Sequence, residues 1–425
     1  MTDATVPENG SNPAPELLRT ADGRPLKEAL ARASARSRRR AFLLVLPLLA
    51  FILLTFVAPI GQMLKRSISN DQFSANMPAM TAWFKANPNA EPDESAYAAL
   101  ASDLVYSAKE RSIGSVGTRI NYDVSGTRSL FTSTGRKAKS LEPPFKESLI
   151  ALNEDWARPD LWAAMRTASQ PYSSTFYQAA SDRKLNADGV YEKVGERDRI
   201  YLTLFWRTFG IALIITLICA VLAYPVAHLL ATLPLAKSNL LMILVLLPFW
   251  TSLLVRTTSW MVLLQEQGTI NDTLVGLGLL SNDNRLSMMF NMSGTIIAMT
   301  HILLPFMILP LYSVMRPINP SYVRAARSLG ATSWTAFRRI YFPQTLPGIG
   351  AGAILVFILA VGYYITPALV GGASGTLISN QIAFHIGKSL NWSLAAALAT
   401  MLLAAVLALY WLYDRLVGID NLKLG

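Results

Sequence analysis

Polar positions fill the first forty residues, and an unbroken apolar run then extends from Ala41 to Ile60. Its length matches the roughly 20 residues that a bilayer core demands of a helix. Polar residues return over 66–199. From Tyr201 the pattern becomes regular, with apolar segments at about 203–231, 239–264, 294–315, 346–370 and 393–413. With the first run these predict an all-α membrane protein of six transmembrane helices, a number that puts both termini on one side. The expected organisation is an N-terminal tail at 1–40, transmembrane helix 1 at 41–65, an insert domain at 66–199 and a five-helix core at 200–425.

Charge fixes the orientation. Arg36, Arg38, Arg39 and Arg40 stand directly before the first run, so the positive-inside rule keeps the tail cytoplasmic and sends the insert outside. The apolar run starts too late for a cleavable signal peptide. Within the insert, Asp93–Arg111 and Pro143–Thr167 have helix-compatible spacing and start signals. Residues 112–140, rich in Ser, Thr, Gly and basic side chains, read as loops or short strands. The insert is thus expected to be a mostly helical extracytoplasmic domain. Counting crossings places 265–292 outside, with a helix resting on the membrane surface, and 316–345 inside.

That inner loop is not composed like a passive connection. Asn319 can cap a helix beginning at Pro320, with Tyr322, Ala325, Ala326 and Leu329 on one face. Gly330 can end it in a left-handed cap. Ser333 can start a second helix carrying Trp334, Phe337 and Tyr341, which Pro343 stops. Arginines stand at 324, 327, 338 and 339, with no acid among them. Arg324-Ala325-Ala326, Gly330, Ile340 and Pro343 fall at the spacing E-A-A-x3-G-x9-I-x-L-P. In this the chain resembles the permease subunits of ATP-binding-cassette importers, where such a loop docks into a groove on the ATPase. Small residues let the helix backbone sit deep in that groove. Arg324 replaces the acid and Phe342 the leucine, so the ion pair that the usual glutamate makes is absent or reversed here. Pro248–Arg256, His301–Ser313 and Gln344–Ile349 are similar to the spermidine/putrescine branch, and the resemblance covers about Tyr201 to Leu416.

Composition agrees with a membrane protein: 52% of residues are hydrophobic and 15% charged. The net charge of +11 could suggest nucleic acid, but the arginines gather at cytoplasmic membrane edges, as retention there predicts. Cys219 is the single cysteine, and His228, His301 and His385 are scattered, so a disulfide within the chain and a metal cluster are both excluded. No G-x-x-x-x-G-K-[ST] phosphate loop occurs, so no catalytic residue is assigned and ATP with Mg must be bound by a partner.

Polar groups in the spans are candidates for a solute path: Tyr224, Trp250, Arg256, Tyr312, Tyr363, Tyr364 and Thr366, near prolines at 225, 248, 305, 310 and 367 expected to break helices. Bland readings compete, since Trp250 or Tyr312 can belong to an interfacial belt and Arg256 can snorkel. His228 and His301 are expected to be satisfied by neighbouring helices, and Gly210, Gly348, Gly350 and Gly352 to serve helix packing. The resemblance implies two ATPase subunits, a periplasmic substrate-binding protein and a second, homologous permease in a heterodimer, all at a lipid bilayer. It also implies a polyamine solute, with an amino-acid-derived or opine-like solute as competitor. The branch often has Gly-Asp-Tyr before its Thr-Pro, whereas this chain reads Gly362-Tyr363-Tyr364-Ile365-Thr366-Pro367, and its spans between Tyr201 and Tyr413 hold no acid. An ion-driven secondary transporter would need such acids, and a membrane sensor would need a cytoplasmic signalling domain.

Overall fold

The structure, a computed structural model, describes residues 26–417 apart from 187. Most of the expected N-terminal tail and the last eight residues lie outside the described range. The chain divides at Met63 into two units. The first holds the helix Leu26–Ile52, which passes through a π-helical turn at Leu53–Val57. From Phe42 to Ile52 its large apolar side chains are exposed, Leu44 at 82%, as befits a helix whose solvent is lipid.

In the second unit, four long apolar helices span Tyr201–Thr232, Met292–Met315, Ser333–Gly362 and Trp392–Arg415. Met292–Met315 is the centre, with 61% of its most apolar window buried against 33% and 28% for the helices at Tyr201 and Trp392. Small residues permit this packing. A Cβ on Gly352 would lie 3.2 Å from the Met307 carbonyl oxygen, and one on Gly348 would lie 3.2 Å from Leu311 Cα. Gly350 sits against the Tyr413 hydroxyl. Gly210 departs from expectation: a Cβ there would meet nothing within 4 Å, and it borders an open apolar groove beside Trp206 and Phe357.

The segment expected at 239–264 is not one straight span. Leu235–Trp250 and Leu253–Leu263 meet at 96°, because a 3-10 turn around Pro248 leads into extended backbone at Thr251 and Ser252. The segment expected at 346–370 likewise ends at Gly362 and resumes as Ile365–Val370. Pro225, Pro305 and Pro310, by contrast, lie inside continuous helices. In lipid the remaining backbone groups have no other partner, so the helix persists around them.

The insert has its own core, in which Phe73, Met80, Leu100, Ile120, Phe131, Trp156 and Met165 are fully buried. Residues 112–140 are helical, not looped: Ile113–Asn121 packs on Thr127–Lys137. Gly117 explains the misleading composition, since a Cβ there would lie 2.9 Å from Phe131 Cβ and 3.1 Å from Arg128 Cα. The small residues mark close approach of two helices. Asp103 replaces a missing cap by accepting hydrogen bonds from Ala79 N and Met80 N at 3.1 and 2.7 Å. Buried Arg119 is held by Asp123 at 2.6 Å and Asn70 Oδ1 at 2.9 Å. The strands Arg183–Leu185 and Tyr191–Lys193 form a small hairpin.

The insert is fused to the core at one end of the bundle. Phe176 and Ala180 pack among Leu204, Phe205, Leu394 and Leu398. The Asp182 carboxylate accepts from the N–H groups of Ile200, Tyr201 and Leu202, capping the helix that follows. At the far end of that helix, Arg316 donates to the carbonyls of Ala231 and Leu233 at 2.7 and 2.9 Å. Insert and 316–345 loop therefore stand at opposite ends, in agreement with the parity of the apolar runs.

Candidate functional site

Two short helices project beyond Arg316. Asn319 Oδ1 accepts from Ser321 N at 2.9 Å and opens Ser321–Ser328. Gly330, at φ +90°, closes it, with Gly330 N bonded to the Arg327 carbonyl and Ala331 N to the Ala326 carbonyl. This is the paired pattern of a left-handed glycine cap. The second helix starts at Ser333, as expected, and Thr332 caps it, its Oγ1 accepting from Thr335 N.

Pro343 does not stop this helix. A π-helical turn at Phe337–Tyr341 joins it to Phe342–Gly362. Phe342 N reaches back to the Phe337 carbonyl, and that wider turn accommodates a ring that has no N–H to donate.

The tip is apolar and bare: Leu329 is 89% exposed and Trp334 67%, with Tyr322 also exposed. Arg324, Ala325, Arg338, Arg339 and Pro343 are exposed, and Ala326 and Ile340 half-buried. None of the arginines has an ion-pair partner among the described residues. Large apolar side chains left bare at a loop tip and ringed by cations set this loop apart from a passive connection.

An aromatic column ties this tip to the bundle. Trp334 stacks on Phe337 at 5.6 Å, and Phe337 on Tyr341 at 6.1 Å. The Tyr341 hydroxyl is 3.0 Å from His228 Nδ1. Tyr224 packs edge-on against Phe337, with its hydroxyl 3.3 Å from Thr345 Oγ1. Tyr224, one of the solute-path candidates, is thus packed into this mounting. His228 is satisfied by a neighbouring helix, as expected.

The remaining path candidates divide at the bent span. Thr366 is fully buried, its Oγ1 3.1 Å from Thr257 Oγ1, and so fastens Ile365–Val370 to Leu253–Leu263. Tyr312 is half-buried against the core cluster. Arg256 and Tyr363 are half-buried, and Trp250 and Tyr364 exposed. His301 accepts from Trp260 Nε1 at 3.1 Å, again satisfied by a neighbour. Sequence reasoning missed Trp260 and the helix Ile378–Gly387, whose Ser379 and Asn380 side chains donate to the carbonyls of Tyr363 and Tyr364. The polar run Ser379-Asn380-Gln381 was the available signal.

Several apolar spans, an insert at one end and a bare helical handle at the other define a multi-pass transport protein of the bacterial inner membrane. Residues 203–418 match the family of binding-protein-dependent transport system inner membrane components, and the chain belongs to that family. The spermidine/putrescine transport system permease protein PotB of Escherichia coli (strain K12) is 38% identical over 224 residues, 52% of this chain and 81% of that protein. PotB of Haemophilus influenzae is 35% identical over 222 residues, 52% of this chain and 77% of its own. Among solved structures, a bacterial ABC transporter involved in the import of the acidic polysaccharide alginate aligns over 69% of this chain and 99% of that chain. Its TM-score is 0.48 at 15% identity. The insert lies outside the matched family residues.

Proposed function

We propose that this chain is a permease subunit of an ATP-driven importer and that its solute is a polyamine. A periplasmic binding protein delivers the solute to the insert side, and two ATPase subunits that bind ATP and Mg clasp the handle at the other end. Closure of the ATPases turns the spans between outward and inward access. A second, homologous permease completes the path, and the one-sided insert favours a heterodimer. The observation that carries this reading is the handle: two capped helices whose apolar tip is bare and whose base is mounted on the central spans. Likeness to the two PotB proteins supports the polyamine. Arg256 favours, as second reading, a solute that bears a carboxylate.

Gly330→Asp tests the handle. Position 330 requires φ +90°, which a side chain adopts only with strain, and the new charge would enter the groove. Uptake into vesicles should be abolished while the soluble component binds its solute unchanged. Normal uptake would count decisively against docking at this site.

A further inference from the structure

Arg256 lies on Leu253–Leu263, just past the 96° break. Its side chain forms no hydrogen bond or ion pair among the described residues, and its Nε is shut from solvent without an acceptor. Its charge reaches His301 and Tyr363, neither of which brings a negative charge. The nearest acids in sequence do not serve. Glu266 is exposed beyond the helix end, and Asp272 is taken by Arg285 at 2.8 Å. A guanidinium in a bilayer without a counter-charge is expensive. His301, within reach of its charge, is exposed, an uncommon side chain for a face turned to lipid.

We propose that Arg256 is half of an inter-subunit ion pair, its carboxylate standing on a membrane span of the second permease. The proposal rests on the polyamine reading in one respect: a polycation cannot neutralise Arg256, so the solute is not the source of the counter-charge. The two Nη groups suit a carboxylate end-on. Arriving ammonium groups then compete with Arg256 for that carboxylate, while Trp260, Tyr363 and Tyr364 offer aromatic faces to hold them. The polyamine site is therefore shared, with aromatics and a guanidinium from this chain and the acid from its partner.

The test uses the assembled importer, with each Asp or Glu in the second permease's spans neutralised in turn. Arg256→Gln and one such partner substitution should each lower uptake at least about tenfold, the double variant should be no worse than either, and the exchange (Arg256→Glu with that acid made Arg) should restore it. Melting of the solute-free permease pair should show the same rescue, which separates this pair from the identity of the solute. Rescue of melting in an importer that moves no polyamine would sink the substrate reading alone. Wild-type uptake by Arg256→Gln overturns the ion pair. So does a KM increase confined to carboxylated solutes with no coupled partner acid, since the solute would then supply the carboxylate.

Discussion

Arg324 occupies the position where the importer motif carries an acid, in the first turn of Ser321–Ser328 and exposed. A cation there opposes the helix dipole, at about 0.3–1 kcal/mol. Arg324→Glu should therefore leave ATPase association intact or tighter in a pull-down. Loss of association would show that the facing groove is acidic and has co-adapted. Asp103 offers a second test. Burial raises its carboxyl above the usual range, and the N–H groups of Met80 and Ala79 pull it back. The folded state thus binds this proton more tightly than the unfolded chain, so its stabilising contribution is full below the unfolded value and is lost as pH rises through the raised one. Asp103→Asn turns an amide NH2 toward one of the two donors. At neutral pH it should lower stability by about 1–3 kcal/mol, read as an earlier melting transition.

At the scale of elements, the handle was legible because its signals are local. An Asn before a proline, a glycine ten residues past that proline and a Thr-Ser pair dictate starts and stops through backbone hydrogen bonds within a few residues. Pro343 was misread because its effect depends on the π-helical turn before it, a conformation set by packing of Phe337 and Tyr341 against the bundle. That column is the mechanical link from tip to spans. Tyr341→Phe removes the bond to His228 without emptying the space. It should leave ATP hydrolysis by the assembled complex intact while uptake per ATP falls about threefold or more. Equal losses of hydrolysis and uptake would mean that the column only holds the handle in shape.

For the whole molecule, the insert and the core behave as one piece because Phe176 sits in a cluster drawn from both. Arg119 also lies over its ring at 5.0 Å. Phe176→Ala should lower the melting transition by the equivalent of about 3–5 kcal/mol and open the insert's edge to protease. Unchanged protection would show that the hairpin and Asp182 hold the insert unaided.

The apolar runs by themselves determined that this is an all-α membrane protein, where it crosses, and which loops share a side, because hydrophobic length and charge at the membrane edges are properties of the chain alone. They also located the handle. Only the tertiary structure decided that Ser, Thr and Gly in 112–140 bring two helices together, that the third span breaks at Pro248 while Pro305 and Pro310 bend nothing apart, and that Tyr224 and Thr366 fasten helices. Those outcomes depend on which side chains meet across tens or hundreds of residues, and no local spacing records such meetings.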